Sequence, residues 1–479
     1  VTRAEAHVGG NDVAKIRDAN ATHDEALDAL LDAELTELAT ANYLVDLYGE
    51  RLRFCKRRGG WLVYDGRRWA EDKDGEIFRL AEGCVKKVAE GARKLDDARC
   101  RKALAFAIQA HKRRVMENII AIARNDARVA IGDPDRFDAD RYLLNVKNGT
   151  LELRTGTLRE HRAADLLTKI VEIPYQSEAQ CSRFERFLCE VFSNDEELVA
   201  FVQRAIGYSL TGDTSEQCFL ILYGNGANGK STVLRVIGEL LGDYATVAST
   251  ETFVSRRHQG PSNDLARLHG ARFVSAVETT EGAALNEGFV KAVTGGDRIL
   301  ARYLFCEHFV FVPQFKLLLA VNHKPQIRGT DEAIWRRVRL VPFERSFTGE
   351  GCDQHLIDEL AIELPGILAW ALRGCLEWQR SGLGQPVAVR TATATYRAES
   401  DVIAQFVEEC CTIGGQFTVG STPLFERWQK WCETNGERGN SKKAFASRLK
   451  AHGNFDNNSQ DGNGRKRWLG IGLLEEPNR

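Results

Sequence analysis

Residues 218–232 read CFLILYGNGANGKST, an apolar run that enters a complete G-x-x-x-x-G-K-[ST] loop with helix-compatible sequence behind it. A strand handed to a helix through such a loop narrows the fold to one built on α/β units. Strands and helices go on alternating from 218 to about 345, which implies an α/β sheet. Gly224, Gly226 and Gly229 lack a Cβ, so the chain can take positive φ and turn several amide N–H groups around a β-phosphate. The helix from Lys230 presents its positive dipole end to the same anion. Within the loop Gly224, Asn225, Gly226, Ala227, Asn228, Gly229, Lys230, Ser231 and Thr232, Lys230 would reach the β/γ oxygens and the Ser231 hydroxyl would ligate Mg²⁺. A ligand-free Gly/Asn-rich turn could share this composition but would not need every fixed position. ATP and Mg²⁺ are the expected ligands.

At 479 residues the chain should hold two to four domains. Its longest apolar runs fall far below the ~18 residues of a membrane span, so no crossing is expected. The opening VTRAEAHVGGNDVAK does not resemble a secretory signal, and a cytoplasmic location is expected. Twelve cysteines contain no C-x-x-C pair and read as reduced core thiols. Formal net charge is −2, so any affinity for nucleic acid must be sought locally.

Residues 1–42 read as a helical or disordered leader, and 43–180 as a mixed α+β domain. In the latter, Trp61–Tyr64 and Arg67–Trp69 form a hairpin on Asp65-Gly66, and 151–153 pair with 157–159 through Thr155-Gly156. Between them one long helical stretch runs from about Leu80 to Asn125. Residues 181–212 form a helical collar, 213–345 the α/β core, 346–400 a helical lid or linker, and 401–479 a tail domain.

Three further segments suit hydrolysis of a triphosphate. The strand Arg272–Val277 ends at Glu278; beside the loop strand, that carboxylate could hold Mg²⁺ or orient a water, with Glu281 as second candidate. FKLLLAVN ends at Asn322, whose amide can donate to a γ-phosphate or the attacking water without competing for the metal. Arg336 and Arg337 are candidate arginine fingers, and a single chain cannot easily fold them back onto its own loop, which favours a ring.

Taken in order, GNGANGKST, the strand ending at Glu278, KAVTGGDRILARYLF, FKLLLAVNHKP and WRRVRLVPF resemble superfamily-three helicases, and more narrowly the phage/plasmid and poxvirus-type primase-helicase family. NVKNGTLELRTG and GYSLTGDTSEQ resemble the domain preceding that core, and FERWQKWCETNG its carboxy-terminal winged-helix segment. The resemblance implies a multidomain α/β protein: an AAA+-like P-loop ATPase core, a mixed α+β N-terminal domain, a helical collar and a C-terminal winged-helix domain. It further implies a hexameric ring that hydrolyses ATP between subunits and draws single-stranded DNA through a pore, 3′ to 5′. Lys230 and Ser231 then serve phosphate and metal, Glu278 is the acid, Asn322 the sensor, and Arg336 or Arg337 the finger. Residues 299–313 match the pore hairpin. The tip lacks the lysine common in relatives, leaving His308, Lys291 or Arg302 to grip the strand. Asp138 and Asp140 are the only tempting carboxylate pair for a polymerising domain and read better as a loop. A separate primase or polymerase is therefore a possible partner.

From Arg427 to Trp468 there are ten Lys/Arg against four Asp/Glu, an excess of six. Ser441–His452 reads as a capped basic helix and 456–467 as a Gly/Asn-rich wing, with Lys442, Lys443, Arg448, Lys450, Arg465 and Arg467 facing duplex or forked DNA. A nucleotide-controlled DNA-binding initiator that does not unwind is the alternative reading.

Overall fold

The computed structural model describes residues 24–254, 263–277, 284–304, 307–327, 329, 332–348, 353–435, 437, 439, 441–453, 455–460 and 464–474. The chain divides into two units: residues up to 177 together with 242–244, and residues 178–241 together with 245–479.

The first unit contains helices α1 (24–32) and α2 (Glu37–Tyr48), strands β1 (Leu52–Cys55), β2 (Gly60–Tyr64) and β3 (Trp69–Glu71), helices α3 (Glu76–Gly91), α4 (Asp97–Ala110) and α5 (Arg113–Ala123), then strands β4 (Leu143–Val146), β5 (Gly149–Glu152) and β6 (Thr157–Arg159). Both triplets of strands form antiparallel sheets. The Asp-Gly hairpin forms as the sequence implies: Tyr64 pairs with Trp69, and the Asp65 carboxylate accepts from the backbone N–H of Arg67 and Arg68, both at 2.8 Å. The expected long helix from Leu80 to Asn125 is instead three. Asp96 stops it by taking an extended conformation and capping α4, accepting from Ala98 and Arg99 N–H at 3.0 Å. Lys112, also extended, separates α4 from α5. Asp138 ties a loop to Thr168 N–H (2.7 Å) and faces Arg58 at 3.5 Å, so its carboxylate is committed to local structure.

In the second unit, α6 (Ser182–Val191) and α7 (Glu196–Leu210) are separated by Ser193 and Asn194 at positive φ, and Asp195 caps α7 through Leu198 N–H. They lead into β7 (Phe219–Tyr223), α8 (Lys230–Leu241), β8 (Ala245–Val247), α9 (Asn263–Ala266), β9 (Phe273–Val277), α10 (Glu287–Gly295), β10 (Ile299–Arg302), β11 (His308–Phe311), β12 (Lys316–Val321), α11 (Glu332–Trp335) and β13 (Val338–Pro342). Five of these strands form a parallel sheet in the order β13-β7-β12-β9-β8, while β10 and β11 form a separate hairpin. β7 lies between β13 and β12, and its first four residues are buried, which explains a continuous apolar run rather than an alternating one. The strand ending at Val277 is not beside β7, as the sequence reading required; β12 lies between them.

Helices α12 (Leu356–Ile362), α13 (Leu364–Ser381) and α14 (Val387–Ser400) follow. α13 packs on α7 with backbone touching backbone. A Cβ on Gly207 would lie 2.1 Å from Cys375 N, and one on Gly374 2.2 Å from Gln203 O. The tail comprises α15 (Val402–Cys410), β14 (Cys411–Gly420), α16 (Ser421–Thr434), α17 (Lys442–His452), β15 (Asp456–Gln460) and β16 (Lys466–Leu473), with antiparallel order β14-β16-β15. Phe406, Trp428, Phe445 and Trp468 fill its core, and Trp428 stacks on Phe445 with centroids 5.2 Å apart.

Among the described residues no helix is long and apolar enough to cross a membrane, and the cysteines are free thiols.

Because neither partner backbone at the α7–α13 contact can retreat, Gly207→Ala and Gly374→Ala should each destabilise the second unit by about 1–3 kcal/mol. Gly238→Ala, inside α8 where a Cβ meets nothing within 4 Å, should be neutral or stabilising by up to about 1 kcal/mol. Thermal melting of the three variants reads the difference.

Candidate functional site

The loop of residues 224–229 leaves β7 at the carboxyl edge of the sheet, where ligands of parallel α/β sheets bind. Gly226, Ala227 and Gly229 take φ of 88°, 46° and 84°, which wraps the chain into a cradle before α8 begins at Lys230. A glycine is also required at 224 for space: a Cβ there would sit 2.1 Å from Asn228 Nδ2 and 2.2 Å from Phe343 O.

Lys230 is buried, and its Nζ donates to Gly224 O (2.6 Å), Asn228 Oδ1 (2.9 Å) and Asn322 Oδ1 (3.1 Å). Burial lowers its pKa from the ordinary lysine value. Asn322 arrives because β12 runs parallel to β7 with Val321 opposite Tyr223, so the next residue lies beside the loop. A cavity of about 260 Å³ opens here, lined by Gly226–Thr232 together with Val277, Ala320 and Asn322. Inward amides, a helix amino end, an ammonium and the exposed Ser231 hydroxyl form a donor set that suits a polyphosphate with a hard cation.

A contact that the sequence reading missed holds the cradle from its other flank. The strap of residues 343–347, which follows β13, donates from Phe343 N to Tyr223 O (2.7 Å) and from Phe347 N to Ala227 O (2.6 Å). Asn228 returns a bond from Nδ2 to Phe343 O at 3.1 Å, with both groups buried. Asn228 thus grips the strap with one end of its amide and Lys230 with the other. Nothing in the sequence around Phe343 names Asn228 as its partner.

Glu278 and Glu281 lie outside the described residues. The strand that leads to them ends at Val277, which lines the cavity, so β9 is aimed at the site even with β12 interposed. The two arginines separate cleanly. Arg337 O accepts from Phe219 N at 2.9 Å, which fixes this segment at the amino edge of the sheet, opposite the cradle. Five strand residues stand between the two edges, about 16 Å. Arg336 is exposed, and its guanidinium donates to Gln217 Oε1 at 3.4 Å. Arg337 is 8% exposed and donates to Ala333 O at 2.5 Å, turned into the protein.

In the β10–β11 hairpin Arg302 pairs directly with His308, and both are exposed; Lys291 lies on α10, half-buried. On the tail, Ser441 caps α17 by accepting from Ala444 N–H at 3.3 Å, as the sequence implied. Lys442, Lys443, Lys450 and Arg465 are exposed, while Arg448 and Arg467 are half-buried. Lys442 reaches Thr422 Oγ1 at 2.8 Å and Arg467 reaches Thr418 Oγ1 at 3.0 Å. Among the described residues no group of three or more His, Cys, Asp or Glu could hold a metal ion.

Residues 41–193 match the family model described as D5 N terminal like, and residues 398–478 the model described as Poxvirus D5 protein-like. Between them, 222–337 match a family of unknown function (DUF5906). A "Putative helicase" of Acanthamoeba polyphaga mimivirus is 27% identical over 325 residues, covering 62% of this chain and 34% of the relative. A "Putative helicase" of Frog virus 3 (isolate Goorha) is 31% identical over 274 residues, covering 53% and 28%. A "Putative primase" of African swine fever virus (isolate Warthog/Namibia/Wart80/1980) is 24% identical over 212 residues, covering 42% and 22%. The chain therefore spans between about a fifth and just over a third of the length of these relatives. Among solved structures, the apo structure of the NrS-1 C terminal region aligns with 75% of this chain and 89% of its own, at 10% identity and a TM-score of 0.45.

Gly224→Ala should weaken binding of inorganic tripolyphosphate roughly tenfold or more, because the added methyl pushes Asn228 and the strap out of the cradle. Asn225→Ala, at an exposed loop position, should bind as the unaltered chain does. Isothermal titration calorimetry in Mg²⁺ separates the two.

Proposed function

We propose that this member of the poxvirus D5-type primase-helicase family is an ATP-driven DNA motor, a superfamily-three helicase core of AAA+ type that acts in replication as a hexameric ring. The observation that carries the reading is the division of one sheet: a polyphosphate cradle at its carboxyl edge and an exposed arginine, Arg336, at its amino edge. Helicase names among the relatives support the DNA-replication half of the reading.

ATP would lie with its phosphates against the 224–229 amides, and Ser231, with Glu278, would hold Mg²⁺, which supplies charge neutralisation on the β/γ oxygens. Lys230 would give up its bond to Gly224 O and turn to the phosphate. Asn322, its oxygen engaged by Lys230, would turn its NH₂ to a γ-phosphate or the attacking water. Arg336 of a neighbouring copy would complete the site, since its own cradle is a strand-length away; Arg337 would brace the segment. Glu278 and Glu281 share the acid's role in this proposal. DNA would run over the Arg302–His308 pair and Lys291, and the basic α17 with the β15–β16 hairpin would dock duplex or forked DNA as a winged helix.

Lys230→Ala and Arg336→Ala should each lose ATP hydrolysis, the latter by ~10³-fold or more, and a mixture of the two should recover part of it by pairing an intact cradle with an intact arginine. Arg337→Ala should chiefly lower the melting temperature. Mixtures that stay inactive under conditions of co-assembly would rule out the shared site, and turnover unaffected by single-stranded DNA would favour the initiator reading.

Lys443→Ala and Arg465→Ala should weaken DNA binding uniformly across sequences, each reducing the slope of log K against log salt by about one. Fluorescence anisotropy at several salt concentrations checks this.

A further inference from the structure

Two more cavities continue from the cradle, and together they form a path that turns from polar to apolar. The second, of about 220 Å³, is lined by Tyr223, Gly224–Gly226, Asn228, Pro342–Glu344 and Ser346, and shares Gly226 and Asn228 with the first. The third, of about 600 Å³, shares Tyr223, Pro342 and Glu344 with the second. Its walls include Val191, Phe192, Leu198, Leu340, Ala388 and Ala392. That volume falls within the ~300–1,000 Å³ usual for small-molecule sites, as does a mostly apolar lining with a few polar groups.

Glu344 stands where the second and third cavities meet. It is exposed, and among the described residues its carboxylate has no hydrogen bond or ion pair. The other charged groups lining the third cavity are engaged. Asp195 caps α7 through Leu198 N–H at 3.0 Å, and Lys324 pairs with Glu399 at 2.6 Å while lying over the Tyr223 ring at 5.0 Å. An ionised carboxylate accepts hydrogen bonds and repels phosphate, so its natural partner on a nucleotide is a pair of hydroxyl groups.

We infer that the second cavity takes the ribose and the third the base, and that Glu344 determines specificity by accepting from the ribose hydroxyls. The inference rests on the reading of the 224–231 loop as the triphosphate site. The path supplies the physical sense: anionic head against amides and ammonium, hydroxyls against a lone carboxylate, aromatic base against a largely apolar wall.

Calorimetric titration of the full chain with ATP, 2′,3′-dideoxy-ATP and inorganic tripolyphosphate, in Mg²⁺, tests it. The unaltered chain should bind ATP roughly tenfold or more tightly than the dideoxy analogue. Glu344→Ala should abolish that preference and leave tripolyphosphate affinity unchanged. Thr391→Trp, an exposed α14 position lining the third cavity, should weaken both nucleotides but not tripolyphosphate. Equal binding of ATP and the dideoxy analogue by the unaltered chain would overturn the inference alone. So would a Glu344→Ala variant that loses tripolyphosphate together with ATP, since the carboxylate would then act on metal or phosphate. Binding of none of the three by the unaltered chain would overturn the phosphate reading and this inference with it.

Discussion

A buried ammonium, Lys230, governs the second unit. Its described hydrogen-bond partners are three neutral oxygens: a loop carbonyl and two side-chain amides. Dipoles compensate a buried charge only in part, which is why burial depresses the lysine's pKa rather than raising it. The same incompleteness suits the site to a polyanion, which would supply the counter-charge that the protein withholds. Preorganised donors of this kind need little rearrangement once the anion is present. The left-handed loop residues, β12's register beside β7 and the Asn228 bridge all serve to hold that ammonium in place.

The parallel sheet sets a second constraint. Strands that all run the same way put their beginnings on one edge and their ends on the other, so a group preceding β13 cannot meet a group following β7. Arg336 and the cradle obey this, separated by the length of a strand. Burial then distinguishes two adjacent arginines of identical chemistry: one is spent inside the fold and the other is left for something outside it.

Much of this was legible in the residues, and the reasons differ by element. The loop could be read because its geometry needs particular residue types at fixed spacing, and the Asp65-Gly66 hairpin and the Ser441 cap because each is closed by bonds to backbone within three residues. The helix break at Asp96 was missed because periodicity continues across it and only local capping reveals the stop. Strand order was illegible: nothing in β9 or β12 taken alone says which of them sits beside β7. Nor could the strap be foreseen, since Asn228 and Phe343 meet across 115 positions through an amide and a main-chain carbonyl. Such a contact leaves no requirement on the side chain at 343.

β13 joins the two themes. Its last residue passes into the strap bonded to Tyr223 and Ala227, and its first follows directly on the two arginines. A short strand held in register to β7 ties the strap at one end to the arginines at the other, so neither end can slide along the strand without breaking the bonds between β13 and β7.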